Sequence, residues 1–152
     1  SDSDFTRLVI RLREAGMKVF GIGEKKTPSP FIAACDKFTY IEIIGSKTLH
    51  DADNLEPQRD KVHFRQSDNA IIKIGDDIIS LIKNSIADVA DEQGWAFLGD
   101  VGYLIQKKQP DFDSRNYGFP KLTLLIKSID RFELEFRKTS NSRIKHIYIR
   151  NK

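Results

Sequence analysis

The chain has 152 residues, 39% of them hydrophobic and 31% charged, with a formal net charge of +3. That is apolar material for one ordinary domain or two small ones, and the near balance of charge excludes a global field that would announce a polyanionic partner, so any basic surface has to be local. No apolar run approaches the roughly 20 residues that span a bilayer, and the opening Ser1-Asp2-Ser3-Asp4-Phe5 is polar and acidic rather than a signal peptide, so no membrane is expected. The single cysteine, Cys35, excludes an internal disulfide and suits a reducing compartment, which makes the cytoplasm the expected location. The sequence opens without Met inside what reads as a motif, and a piece of a longer protein is expected.

Taken in chain order, Phe5, Leu8, Val9, Leu12 and Ala15 fall at the spacing of an amphipathic helix over residues 5–15, with Ser3 or Asp4 as cap and Gly16 as terminator. Residues 18–23 form a short apolar run that predicts a buried strand. A loop with Pro28 and Pro30, a short helix over 31–37 and a strand over 38–44, rich in β-branched and aromatic residues, follow. The order helix, strand, helix, strand implies parallel strands joined by crossover helices. Two strands make too small a sheet to be covered on both faces, so more sheet is expected before Ser1. The stretch from Ser46 to Asp77 is polar and acidic without sustained periodicity and reads as a linker.

A second unit starts at Ile78. Ile78, Ile79, Ile82, Ile86, Val89 and Ala90 mark a helix ending near Gly94, and a second helix opens at Gly99 or Asp100 and stops before Pro110. A third runs from about Pro120 through Ile129. Apolar and polar residues then alternate over 132–137 and 144–150 on either side of a polar turn at 139–142, which predicts a β-hairpin. Three helices and a hairpin make a winged helix.

The blocks Gly94-Trp95-Ala96-Phe97-Leu98-Gly99-Asp100-Val101-Gly102, Pro110-Asp111-Phe112-Asp113 and Arg115-Asn116-Tyr117-Gly118-Phe119-Pro120-Lys121-Leu122 closely resemble the LOTUS family, also called OST-HTH. That resemblance covers about residues 78–152. It implies a winged helix-turn-helix that binds RNA, G-rich or structured RNA among its ligands, with protein partners known for some members. Residues 1–48, through Ser1-Asp2-Ser3-Asp4-Phe5, Leu12-Arg13-Glu14-Ala15-Gly16, Gly21-Ile22-Gly23-Glu24-Lys25-Lys26-Thr27-Pro28 and Ala34-Cys35-Asp36-Lys37-Phe38, are similar to the end of NYN domains, which are PIN-like nucleases often joined to LOTUS domains in bacteria. The domain division is then 1–48, a partial PIN-like parallel α/β sheet; 49–77, a linker; and 78–152, the winged helix. The opening strand and the middle of the NYN pattern are absent.

In PIN-like nucleases carboxylates at the ends of parallel strands hold magnesium or manganese, and the resemblance assigns Asp2 and Asp4 that catalytic, metal-holding role. Their plainer role is helix cap and first-turn acid. Gly21-Ile22-Gly23 lacks the third glycine and the following helix of a dinucleotide fingerprint. Lys25 and Lys26 are candidates for phosphate contact, set against an ordinary solvated loop. Asp36, near a helix end, reads as a surface residue with a site role as the alternative, Cys35 reads as a small core residue, and the three histidines, His50, His63 and His146, show no metal spacing. In the second unit Lys107, Lys108, Arg115, Lys121, Arg137, Lys138, Arg143 and Lys145 are the candidate RNA-binding cations, and Tyr117 and Phe119 are candidates for base stacking or core packing, with Trp95 placed in the core. The leading expectation is a metal-dependent ribonuclease with an appended RNA-binding domain, in a chain that alone binds RNA and cuts poorly. Two other readings stand beside it: a non-enzymatic adaptor that binds RNA or a protein through the LOTUS-like unit, and a winged-helix binder of duplex DNA.

Overall fold

The computed structural model describes residues 2–45, 72–138 and 145–152. Helix α1 (Asp2–Glu14) ends at Gly16, whose φ of 80° allows the left-handed turn that a terminating residue needs. There Met17 N–H bonds to Leu12 O at 3.0 Å and Gly16 N–H to Arg13 O at 2.9 Å, the paired bonds of a Schellman cap. The periodicity that predicts this helix is only partly used for burial. Val9 is buried, but Phe5 is 61% and Leu8 54% exposed.

Strand β1 (Phe20–Gly23) runs parallel to β2 (Lys37–Tyr40), with Phe20 opposite Lys37 and Gly23 opposite Tyr40, and α2 (Ser29–Ala34) is the crossover between them. The alternation read from the sequence is therefore present as a β-α-β unit. Its core is Val9, Ile32, Ala34, Cys35, Phe38 and Tyr40. Gly21 is a requirement of that core: a Cβ there would lie 2.6 Å from the Phe38 ring and 2.9 Å from Cys35 Sγ. Asp36, which the sequence places on the surface, is a structural clamp. Its carboxylate accepts the Val19 N–H at 2.8 Å and faces Arg13 Nε at 3.4 Å, while Arg13 donates to Ala34 O at 3.0 Å, so one ion pair holds α1, the lead into β1 and the end of α2 together.

The second strand differs from expectation. It stops at Tyr40, and residues Ile41–Gly45 form a short helix, α3. β1 gives out at Gly23, opposite Tyr40, so a longer β2 would extend past its partner with unpaired main-chain groups. A helical turn satisfies them locally and still buries Ile43, leaving Ile41 and Ile44 outside.

The second unit is built from α4 (Asp76–Val89), β3 (Ala96–Phe97), α5 (Leu98–Lys108), a 3₁₀ turn (Ser114–Tyr117), α6 (Leu122–Ser128), β4 (Phe132–Lys138) and β5 (Lys145–Asn151). The three helices and the hairpin match the expectation. The 3₁₀ turn and the third strand, β3, are additions to it; β3 pairs with β5 and gives an antiparallel sheet of order β3-β5-β4. Ile78, Ile82 and Ile86 of α4, Val101 and Ile105 of α5, Leu125 and Ile126 of α6 and Ile149 of β5 form one core. Most of the expected linker, and the hairpin turn, lie outside the described residues.

The two units touch through the segment after α5. Phe38 N–H, on the edge of β2 away from β1, donates to Pro110 O at 2.8 Å, and the buried Tyr40 hydroxyl donates to Asp111 Oδ2 at 2.7 Å. Burial, and after it the bond to Asp111, push the Tyr40 hydroxyl well above the ordinary phenol range. Within the second unit, Ile72 N–H donates to Asn116 O at 2.7 Å.

This contact is asymmetric, and its two halves are expected to respond differently to substitution. Tyr40→Phe leaves a partly exposed carboxylate that water can solvate, costing about 0.5–1.5 kcal/mol, whereas Asp111→Ala strands a buried hydroxyl and costs about 1–3 kcal/mol. Urea unfolding of the two variants measures the difference; equal losses would mean that the pair is not the link between the units.

Candidate nucleic-acid interface

In the first unit the candidate residues do not gather into one site. Asp2 and Asp4 lie within the first turn of α1 rather than ahead of it. The Asp2 side chain lies outside the described residues; Asp4 is exposed and engaged with neighbours. Among the described residues no group of three or more His, Cys, Asp or Glu side chains comes together. Lys26 pairs with Glu24 at 2.8 Å, which raises the lysine above its ordinary range. The Lys25 backbone N–H donates to Glu42 Oε1 at 3.0 Å, so the loop after β1 is tied to α3. That bond is the main reason the Glu42 carboxyl sits below its usual range. Cys35 is buried and free, its thiol raised by desolvation, as a core residue would be.

In the second unit several candidate cations are already engaged. Lys108 pairs with Asp88 at 2.6 Å, and Lys107 sits 4.6 Å over the Tyr103 ring. Arg115 grips Asp113 by two side-chain bonds, at 2.9 and 2.7 Å, while its backbone N–H donates to the same carboxylate. Tyr117 is 7% exposed and packs on Phe112 in the core. Burial, with Asp77 and Asp111 nearby, pushes its hydroxyl up to about 12, so this ring has the packing role of the two read from the sequence and presents no face to a base. Phe119 is half-buried against the same core. Arg143 lies outside the described residues.

Charge is unevenly divided along this unit. Residues 72–120 carry five Lys and Arg against eight Asp and Glu, whereas residues 121–152 carry nine against three. Each of those three acids has a cation of its own: Asp130 with Lys152, Glu133 with Arg150 at 2.6 Å, and Glu135 with Arg137 at 3.0 Å. Lys121, at the start of α6, Lys127 near its end, and Lys138 and Lys145 on the hairpin form no ion pair among the described residues. Lys138 and Lys145 stand directly opposite each other across the β4-β5 ladder, a like-charge pairing that disfavours the hairpin until an anion lies between them.

The hairpin also has a face that sequence reading missed. Ala96, Ile149 and Phe132 point to the core, so the alternate positions Phe97, His146, Tyr148, Arg150, Glu133, Glu135 and Arg137 share the other side of the sheet. The Arg137 guanidinium lies 4.2 Å from the Tyr148 ring centroid and 5.5 Å from that of Trp95, and Arg150 lies 4.6 Å from Trp95. Phe97 contacts His146 and Tyr148 at centroid distances of 5.1 and 5.9 Å. Trp95, expected in the core, is half-buried, with both guanidiniums near its ring. The signal is the period-two spacing of His146, Tyr148 and Arg150, which the sequence shows as clearly as it shows Ile147 and Ile149.

This is a mixed helix-and-sheet protein in which a small parallel β-α-β unit is joined to a helical unit with a basic hairpin. Known families correspond to both units: residues 1–42 match the NYN domain and residues 71–144 the OST-HTH/LOTUS domain. The chain carries an NYN segment followed by an OST-HTH/LOTUS domain. Among solved structures it is similar to a protein of Nitrosomonas europaea described as uncharacterized and determined by solution NMR, at 33% identity over 68% of this chain and 92% of that one, with a TM-score of 0.49. A stretch of a Chromobacterium violaceum protein, also determined by solution NMR, is 32% identical over 47% of this chain and 76% of that one, with a TM-score of 0.38. No curated protein matches. No described helix is long and apolar enough to cross a membrane.

The Asp113 clamp gives a pH prediction. Burial pushes this carboxyl up, but the side-chain and backbone bonds from Arg115 outweigh it and hold the group below its ordinary range. A depressed folded-state pKa contributes stability that is present above the unfolded value of about 3.9 and is lost as pH falls through the folded value. Asp113→Asn is therefore expected to cost about 1 kcal/mol at neutral pH, a figure kept low because Arg115 is partly exposed, and to flatten the loss of stability below about pH 4. Thermal unfolding as a function of pH checks both; an unchanged acid limb would exclude the clamp.

Proposed function

We propose that the chain binds RNA through its OST-HTH/LOTUS domain, acting as a winged helix, and that its NYN segment serves a cytoplasmic metal-dependent ribonuclease of PIN-like architecture. The observation that carries the RNA reading is the concentration of cations from Lys121 onward, with Lys138 facing Lys145 across the ladder. Lysines that have no carboxylate of their own are free to meet phosphates, and such contacts give affinity that falls with salt and carries little sequence choice. G-rich or structured RNA is the ligand class that this reading favours.

Labelled RNA titrated at several salt concentrations is expected to bind with a linear fall of log affinity against log salt. Lys138→Ala and Lys145→Ala are each expected to reduce that slope by about one. Affinity indifferent to salt would refute the phosphate-contact part of the proposal, and no RNA affinity at all would favour a protein-binding adaptor.

For the nuclease, Asp2 and Asp4 are the proposed ligands of magnesium or manganese. A helix that hands over by a short turn to the amino end of a parallel strand starts toward the strands' carboxyl ends, where α/β folds bind ligands. Two carboxylates in one helical turn do not make a complete site, and among the described residues no group of three or more His, Cys, Asp or Glu side chains comes together, so this chain alone is expected to cut RNA poorly. In a protein carrying a whole NYN domain, Asp2→Asn and Asp4→Asn are each expected to abolish manganese-stimulated RNA cleavage, measured on a labelled substrate. Unchanged cleavage would move the site elsewhere.

A further inference from the structure

The outer face of the β3-β5-β4 sheet carries chemistry that phosphate binding does not use. Trp95, Phe97, His146 and Tyr148 are half-buried there, and Arg137 and Arg150 lie against the rings with side chains 38% and 40% exposed. Each guanidinium is paired with a glutamate, Arg137 with Glu135 and Arg150 with Glu133, so these four charges cancel. A face whose charges cancel but which presents rings and guanidinium planes is suited to flat, polarizable groups rather than to phosphates.

The face is also fixed in place. The Asp91 carboxylate accepts the N–H groups of Gln93 and Trp95, each at 2.9 Å, and Asp91 N–H donates to Trp95 O at 2.8 Å. Gly94, with φ of 81°, supplies the left-handed residue that closes this turn, beneath the Arg150 side chain. The backbone that presents Trp95 is thereby held by hydrogen bonds at both its N–H and its carbonyl. Toward the tip of the hairpin, the next cross-strand pair after Arg137 and His146 is Lys138 and Lys145, which the alternation of the strands places on the opposite side of the sheet from the rings.

We propose that this face is a stacking platform for the unpaired bases of single-stranded RNA. The platform rests on the RNA-binding reading and assigns its base-contacting surface. Trp95 is the only tryptophan in the chain, so its emission reports directly on the platform.

Titration of the full chain with unlabelled oligoadenylate is expected to quench Trp95 emission, and the same RNA annealed into a duplex is expected not to. Tyr148→Val, which keeps a strand-forming side chain but removes the ring, is expected to weaken oligoadenylate binding roughly tenfold without changing its salt slope, while Tyr148→Phe retains the affinity. Oligoadenylate that binds by anisotropy but leaves Trp95 emission unchanged, with Tyr148→Val as tight as wild type, would overturn the platform and leave the RNA reading intact. Equal quenching by duplex RNA would overturn it as well. If no RNA binds at any salt concentration, the reading beneath it fails instead.

Discussion

A strand edge presents unpaired main-chain groups, and among the described residues β2 has one neighbour in its own sheet. Its other edge is met by Pro110, whose carbonyl accepts the Phe38 N–H, and two residues further along β2 the Tyr40 hydroxyl reaches Asp111. The arrangement of the two units depends on that contact. The loop that makes it is itself stiffened from within: Asn116 donates to Asp111 O at 3.0 Å, Asp113 holds Arg115, and Gly118 closes the 3₁₀ turn with φ of 83°. A motif that marks the OST-HTH/LOTUS domain in the sequence thus also serves as the seat of the NYN segment.

The hairpin divides its work by the pleat. One side of each strand completes the core through Phe132, Leu134, Ile147 and Ile149, and the other assembles arginines and rings on a surface held by ion pairs along and across the strands. Because the side-chain period of a strand is two, neither role constrains the other. Among the described residues from Lys121 onward, four lysines without an acidic partner stand on α6 and at the hairpin tip, where anions have access.

Most of the helices and the hairpin were legible from the chain alone. Ile78, Ile82 and Ile86 recur at helical spacing, and the alternation over residues 132–137 and 144–150 admits few other structures, because local periodicity is independent of what packs nearby. Gly16 announced the end of α1 for the same reason, since a left-handed residue is needed there whatever its surroundings. The domain families were readable in short blocks of residues.

Where β2 stops, which cations are already paired and which rings face outward were settled by packing. The run from Phe38 to Ile44 has strand composition throughout, but a ladder lasts only as long as its partner, and β1 ends opposite Tyr40. Tyr117 and Tyr148 are the same residue type in similarly mixed surroundings; one is sealed against Phe112 and the other lies beneath Arg137, because burial depends on residues distant in sequence. Asp36 shows the same limit: nothing near it in the chain reveals that Arg13 and Val19 will converge on its carboxylate.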